Sequence, residues 1–456
     1  MKVVTVETPE LGDRSYVVGE GGPGSEALVI DPQRDLDRVE AVLAEHGWTC
    51  VLVLDTHLHN DYVSGALELA HRTGAAYGLQ GRDEVGFDRC ALHDGDILSV
   101  GTLEVRVLET PGHTENHVSF VVGHHGQPTA VFSGGSLLYG SVGRTDLVHP
   151  DRTEHLARAQ FHSARRLAHH PDDAELYPTH GFGSMCSAGP ASGADTSKIG
   201  AERRSNDALT TEDEDAFVAG LIAGLTAYPA YYAHVGPLNT AGPDAADLSV
   251  PEPVDADELA KRIAAGEWVV DLRDRTAYAA EHLAGSVGIA LGRQFATYLG
   301  WVIPWGTPLT LIGEDPAQVA DAQRQLVRIG IDRPAGAATG PVGELAAATG
   351  ARGYPRRRFT DLAQAGSEDP GPIVLDVRRD DERAGGGIAG SVHVPLHGLL
   401  ERLDEVPPGR LWVHCAAGFR ASIAASLLDR ADHDVVHIDD DYDSAGKAGF
   451  TIEGDS

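Results

Sequence analysis

Lysine is almost absent: four occur in 456 residues, Lys2, Lys198, Lys261 and Lys447, so nearly all positive charge is arginine. Positive charge as a whole is scarce, with 36 Lys+Arg against 68 Asp+Glu and a formal net charge of −32. Nucleic-acid binding is excluded on that ground, because neutralising a phosphate backbone needs a basic surface. Cysteine is equally scarce. Cys50, Cys90, Cys186 and Cys415 lie far apart with no C-x-x-C pair, which argues against a disulfide framework or a thiolate zinc cluster and for a reducing compartment. No apolar run approaches the ~20 residues that a membrane-spanning helix needs. The N-terminal MKVVTVETPELGDRSYVV has neither a long apolar core nor a small-residue cleavage site, so a cytoplasmic location and no membrane partner are expected. What the chain does contain is 42% hydrophobic and 23% charged residues, enough apolar material for several cores.

Three blocks divide the sequence. Residues 1 to 235 carry short β-like runs at Ala27–Ile30, Val51–Leu54, Leu103–Leu108, Val118–Val122 and Ala130–Phe132, each bounded by Gly, Pro or Asp. Helical patterns intervene at Leu36–Glu45, Ser64–Thr73, Glu154–Ala168 and Thr211–Leu225. The mixture fits a layered α/β or α+β domain. Gly236–Pro253, rich in Pro, Gly and Asp, reads as a linker. Two shorter blocks then repeat one pattern, seen in Trp268–Leu291 and again in Pro372–Leu396: apolar strand, Asp-x-Arg, variable segment, Ala-Gly-Ser-Val. Each continues with a second apolar strand, Leu309–Gly313 or Leu411–Cys415, and a helical segment, Gln318–Ile329 or Ala421–Arg430. Strands alternating with helices predict small parallel sheets, with the seam between repeats inside Gly340–Arg358.

Chemistry gathers in two places. In the last block an apolar strand delivers Cys415 to the loop Ala416-Ala417-Gly418-Phe419-Arg420 at the start of a helix. Loop amides and a helix N-terminus aimed at one point attract an anion, and the same field favours the nucleophilic thiolate. Arg420 is expected to add positive charge at the rim, and Gly418 to permit the tight backbone. A lone strand-end cysteine is ordinarily a small hydrophobe, and here the surrounding pattern argues otherwise. In the middle block Gly313 stands where Cys415 does, followed by Glu314-Asp315, so that block lacks both a nucleophile and the right local charge.

The first block holds Asp55-Thr56-His57-Leu58-His59-Asn60-Asp61-Tyr62 directly after an apolar run. Residues i and i+2 share a face in extended chain, so His57 and His59 can converge on one ion. Thr110-Pro111-Gly112-His113 follows another strand and Pro178-Thr179-His180 a third. Any single histidine is more often a surface or core residue, whereas this set, all at strand ends, marks a metal site. Of the remaining motifs, Arg144-Thr145-Asp146 reads as a loop brace beside that site, Tyr228–Tyr232 as packing, Cys186 as structural and Asp439–Asp441 as a solvated face.

On the Asp376-x-Arg378 strand and the Cys415–Arg420 loop, residues 353–456 resemble a rhodanese domain. The resemblance implies that Cys415, with Arg420, accepts a sulfane sulfur as a persulfide, bound among Ala416, Ala417, Gly418 and Phe419, and passes it to a thiol or sulfite. Phosphatases of related fold have one more residue between Cys and Arg, and the tighter loop here suits sulfur better. Residues 1–235 resemble the metallo-β-lactamase superfamily, nearest to persulfide dioxygenases and hydroxyacylglutathione hydrolases. Val131–Asp146 and Tyr177–Ser187 lean toward the dioxygenases. The superfamily's H-x-H-x-D-H carries over as His57, His59 and Asp61, with His113 and His180 as the later histidines. Tyr62 replaces the motif's last histidine and Gly135 stands for a metal-binding aspartate, which counts against a dinuclear hydrolase. His57 and His113 are then one ligand short of a facial triad; His59 is the expected third, while Asp61 and His180 orient ligands or reach the ion.

These resemblances imply an α/β multidomain chain: a metallo-β-lactamase αββα sandwich (1–248), an inactive rhodanese-like domain (249–345) and an active rhodanese (353–456), the last two with small parallel sheets. One divalent metal is expected, Fe(II) in preference to Zn(II). The partners implied are a low-molecular-weight thiol or persulfide, thiosulfate or sulfite, and further copies of the chain in a homo-oligomer. The competing expectations are a thioester hydrolase joined to a sulfurtransferase, and a sulfur carrier with a non-catalytic first domain.

Overall fold

A computed structural model describes residues 1–189, 193–366 and 371–454. The chain forms two compact units, Met1–Asp247 with Val327–Gly330, and Leu248–Leu326 with Ile331–Ser456. Among the described residues no helix is long and apolar enough to cross a membrane.

The first unit stacks two six-stranded sheets. One runs in chain order from Lys2–Thr8 to Cys90–Leu92, antiparallel over its first three strands and parallel thereafter. The other runs from Ile97–Val100 to Ser197–Lys198. Strand alternation sends Val18, Leu28, Ile30 and Leu54 inward against Val105, Val107, Phe120 and Phe132 of the facing sheet. The opposite faces, Val17, Val29 and Val53 on one sheet and Val131 and Leu176 on the other, pack under helices. Those helices are Asp37–His46 and Ala66–Thr73 on one side, Thr153–Ala168 and Glu214–Ala223 on the other. The result is an αββα sandwich. Four strands, Thr49–Leu54, Leu103–Glu109, Gln127–Gly134 and Glu175–Pro178, each end immediately before a segment carrying a candidate site residue.

Part of the expected linker is ordered. Tyr232–Ala241 is a helix despite Pro237 within it, and only 242–252 lack regular structure. Tertiary contacts outweigh the local sequence signal: Tyr232, Val235 and Asn239 are buried, and Asn239 is fully hydrogen-bonded.

The second unit contains two parallel sheets. In strand order the first is Val287–Gly288, Trp268–Asp271, Leu309–Gly313 and Gly336–Thr339. The second is Arg356–Arg357, Asp434–Ile438, Arg410–His414, Ile373–Asp376 and Val392–His393. The two sheets part between Arg352 and Arg356. Ala351–Arg352 still pairs with His282–Leu283 of the first module, whereas Arg356–Arg357 already pairs with Asp434–Ile438 of the second.

Candidate active sites

At the edge of the sandwich, His57 Nε2 lies 3.4 Å from His180 Nε2, and His113 Nε2 is buried with no hydrogen-bond partner. One nitrogen from each of the three lies within 4.8 Å of the others. Their outer nitrogens are all engaged. His113 Nδ1 donates to the Arg144 carbonyl at 2.8 Å, and His180 Nδ1 faces Asp13 at 2.9 Å and Asp61 at 3.1 Å. Thr56 Oγ1 gives its proton to Asp31 at 2.8 Å, so it accepts from His57 Nδ1 at 2.9 Å. A ring whose outer nitrogen donates presents its inner lone pair to an ion. Nitrogens held ~2.1 Å from a tetrahedral ion stand roughly 3.4 Å apart, a spacing that His57 and His180 already have. The residues present therefore fit a divalent ion.

Burial and the facing histidines keep His57 far below its ordinary pKa, and burial pushes His113 down to about 3, so both rings are neutral at pH 7. Burial works against a charged His180, but Asp61 and Asp13 outweigh it and raise that ring well above the usual range. Burial, with Asp61 alongside, lifts Asp13 to about 7. A pocket of buried carboxylates and imidazole lone pairs favours a cation.

The sequence reading expects His59 third; the three histidine nitrogens found together are those of His57, His113 and His180. Tyr62 stacks on His59 at 4.2 Å, and His59 Nε2 is taken up by Tyr62 Oη at 2.9 Å and Asp31 Oδ1 at 3.3 Å. His59 Nδ1 has no partner, and the residue groups with Asp61 and His180 on one side and with Asp31 and Asp55 on the other. At Gly135 a Cβ would stand 2.2 Å from His113 Cδ2, so the His113 ring fills the space where an aspartate stem would begin. The Arg144 brace forms as expected, its guanidinium bonding Asp146 at 2.7 and 2.8 Å. Tyr231 and Tyr232 are buried packing, and Cys186 is buried 3.7 Å from Tyr232 Oη.

Three contributors escaped the sequence reading. His117 stacks on His57 at 4.9 Å and accepts the Gly135 amide at 3.0 Å; its spacing after His113 was the available signal. Asp31, at the end of Glu26–Ile30, ties Thr56 and Thr179 together, and only its strand-end position hinted at that. Asn239 clamps the ligand loop by donating to the His59 and Tyr62 carbonyls at 2.8 and 2.9 Å and accepting the Ser64 amide at 2.9 Å. Nothing in a Pro- and Gly-rich segment announces such a clamp.

In the second unit the strand Arg410–His414 ends at Cys415, and the helix Phe419–Arg430 starts four residues later. The loop turns its carbonyls outward. Ala416 O accepts the Tyr442 amide at 2.8 Å, and Gly418 O accepts His437 Nε2 and the Ser422 amide, each at 2.9 Å. The amides from Ala416 to Ala421 find no protein acceptor among the described residues. Gly418 has φ +83°, which an L-residue adopts only under strain. Arg420 departs from expectation. It is buried, and its guanidinium makes a two-pronged contact with Glu382, bonding Oε2 and, at 2.7 Å, Oε1. Its charge is thus compensated, and the contact ties the start of the helix to Glu382. Burial would raise the Glu382 pKa, but Arg420 outweighs it and holds it below the usual carboxylate range. Asp439 likewise is no solvated residue: it accepts from Arg275 at 2.9 Å and Arg356 at 2.7 Å beside Gly418.

Comparison with known proteins follows this division. The rhodanese-like domain family matches residues 359–447. Hydroxyacylglutathione hydrolase from Polaromonas sp. is 36% identical over 161 residues, 34% of this chain and 58% of that protein. The one from Cereibacter sphaeroides is 31% identical over 185 residues, 40% and 68% of the two. The chain thus spans between half and about two thirds of such relatives. A metallo-β-lactamase crystal structure from Staphylococcus aureus subsp. aureus COL superposes with a TM-score of 0.67 at 29% identity, over 74% of this chain and 99% of that one. ETHE1 from Myxococcus xanthus gives 0.46 at 27% identity, over 53% and 99%.

Proposed function

The chain belongs through its first unit to the metallo-β-lactamase superfamily, with hydroxyacylglutathione hydrolases among its relatives, and it carries a rhodanese-like domain; from that premise we propose a two-site enzyme of sulfur metabolism. A sulfurtransferase at Cys415 (353–456) is joined, through a module without a nucleophile (249–345), to a persulfide dioxygenase-like metal domain (1–248). The observation that carries this reading is the Cys415 loop, whose carbonyls point away and whose amides stay free.

The Cys415 thiolate attacks the outer sulfur of thiosulfate. A Cys–S bond forms, the S–S bond of thiosulfate breaks, and sulfite leaves with the electron pair. The amides of Ala416 to Ala421 hold the Cys–S–S⁻ anion, as they would any anion at a helix start. An acceptor thiolate then takes the outer sulfur and restores the Cys415 thiolate, with no net redox change. Tethering the two sites makes sense if they share a persulfide, because linkage raises effective concentration.

In the first unit His57, His113 and His180 would hold the ion, while Asp13 and Asp61 fix the His180 ring and Asn239 the ligand loop. Fe(II) bound there would supply the redox chemistry for RSSH + O₂ + H₂O → RSH + SO₃²⁻ + 2H⁺. Three imidazole ligands, with His180 shedding its extra proton as an ion binds, would leave the ion's charge uncompensated and so favour an anionic persulfide.

The names of the relatives favour a second reading, thioester hydrolysis with Zn(II); Tyr62 and Gly135, in place of two metal-binding residues, weigh against it. Metal analysis of protein purified without oxygen separates the readings. Iron together with O₂ uptake on glutathione persulfide is the expected result. Zinc with thioester cleavage would establish the hydrolase. A protein free of metal, whose transferase activity survives His57→Ala/His113→Ala, would be a sulfur carrier with a scaffold domain.

A further inference from the structure

Cys415 is only 2% exposed, although it is the proposed nucleophile. The module that has no nucleophile packs beside its loop. The helix Phe295–Val302 of that module packs against the Cys415 side of the second unit, with Tyr298 edge-on to Phe419 at 5.6 Å and 68°. Trp301 lies one turn along the same face, stacked on Tyr298 at 5.8 Å and on His397 at 5.2 Å. Tyr298 and Trp301 are 9% and 6% exposed, so these rings form a closed apolar wall rather than a loose rim. Burial raises the Tyr298 phenol, and the groups that act on it electrostatically, Arg420, Arg379, Cys415 and Glu382, all belong to the neighbouring module. An aromatic wall therefore stands beside the loop that carries the thiol.

We propose that Tyr298 is a specificity-determining residue: its ring gates Cys415, admitting small inorganic sulfane anions of thiosulfate size and retarding persulfides carried on a tripeptide. This rests on the sulfurtransferase reading and gives the middle module a task in that reaction. The ring does the work through its volume. Tyr298→Phe keeps that volume, whereas Tyr298→Ala opens a path beside Phe419. Arg420 and Glu382 are left in place by either change.

The test uses the full chain in a Cys90→Ser background, which removes the exposed competing thiol. Iodoacetamide labelling of Cys415, followed by peptide mass spectrometry, is expected to speed up about tenfold in Tyr298→Ala and to stay unchanged in Tyr298→Phe. The ratio of kcat/KM for thiosulfate to that for glutathione persulfide should fall about tenfold in Tyr298→Ala and hold in Tyr298→Phe. Equal labelling in all three proteins overturns the gate, as does a wild-type enzyme that already uses both donors equally. Thermal melting of Tyr298→Ala against Trp301→Ala controls for general loosening: if labelling tracks melting temperature alone in both, Tyr298 is no gate. Failure of the underlying reading looks different, because Cys415→Ser would then retain transfer whatever the labelling shows.

Discussion

In the middle and last modules of the second unit, equivalent strands leave their sheets at the same register. Asp271 pairs with Ile312 in one and Asp376 with His414 in the other, so Gly313 and Cys415 occupy matching positions. The frame before them is duplicated in detail. Arg273 grips Asp271, and Arg378 grips Asp376, each through Nε at 3.0 Å and Nη2 at 2.7 Å. The loops then diverge. In the middle module Gln318 Oε1 takes the Glu314 amide at 2.7 Å, and Asp315 takes the Gln318 amide at 2.9 Å, so side chains of the loop occupy its own donors. In the last module the corresponding amides find no protein acceptor among the described residues. The comparison teaches that one fold carries two different loops here; what differs is which groups satisfy one turn of backbone.

Substituting the nucleophile tests that difference most severely. Cys415→Ser is expected to lower thiosulfate:acceptor sulfur transfer by about 10³-fold or more, since no other group in the loop can carry the outer sulfur. Its counterpart, Gly313→Cys, places a thiol at the matching position of the middle module and should yield no transfer in a Cys415→Ser background. If it did, the free amides would not be what separates the modules. Oxygen uptake on a persulfide should survive both changes.

Much of this was legible from sequence because the Cys415 loop is contiguous: six neighbouring residues contain the nucleophile, the φ-permissive glycine and the arginine. The Asp-x-Arg repeat likewise announced two parallel sheets. The pairing of Arg420 was not legible, since Glu382 lies 38 residues earlier and meets it only through tertiary packing. For the same reason the sequence left open whether His180 reaches the ion or orients a ligand. Which of five histidines face one point depends on how four strand ends converge, and on Tyr62 drawing His59 Nε2 away. Asn239 and Tyr298 are harder still. Each is an ordinary residue in a helix, and its role exists only in the partner it touches.

Glycine substitutions give a smaller, sharper contrast. Gly418 has φ +83°, and a Cβ there would lie 2.3 Å from Asp439 Oδ1. Gly418→Ala should cost about 1–3 kcal/mol and depress transfer, because the backbone that aims the amides must shift. At Gly313 the nearest atom to a Cβ is Val319 Cγ2 at 2.9 Å, the end of a movable side chain, and φ lies outside the left-handed region. Gly313→Ala should therefore cost about 1 kcal/mol or less. Urea unfolding of the two variants checks the order; equal losses would mean that the Cys415 loop is no more constrained than its silent counterpart.

The smallest effect concerns acid. Glu382 faces Arg420 in the last module, whereas six residues after Asp271 the middle module has Ala277. Because the folded pKa of Glu382 is depressed below the ~4.3 of an unfolded glutamate, the folded state binds this proton less readily than the unfolded chain does. Its contribution is therefore fully present above that unfolded value and disappears as pH falls through the folded one. Wild-type protein should accordingly lose stability more steeply below pH ~4 than Glu382→Gln, by about 1 kcal/mol, in parallel urea titrations at pH 7, 5, 4 and 3. At pH 7 the order of stability should be the reverse of any acid-limit convergence, with Glu382→Gln the weaker because it leaves a buried guanidinium half-paired. Parallel curves for the two proteins would show that the Arg420 contact is loose in solution, and the sharp distinction drawn between an anchored and an unanchored loop would reduce to the cysteine itself.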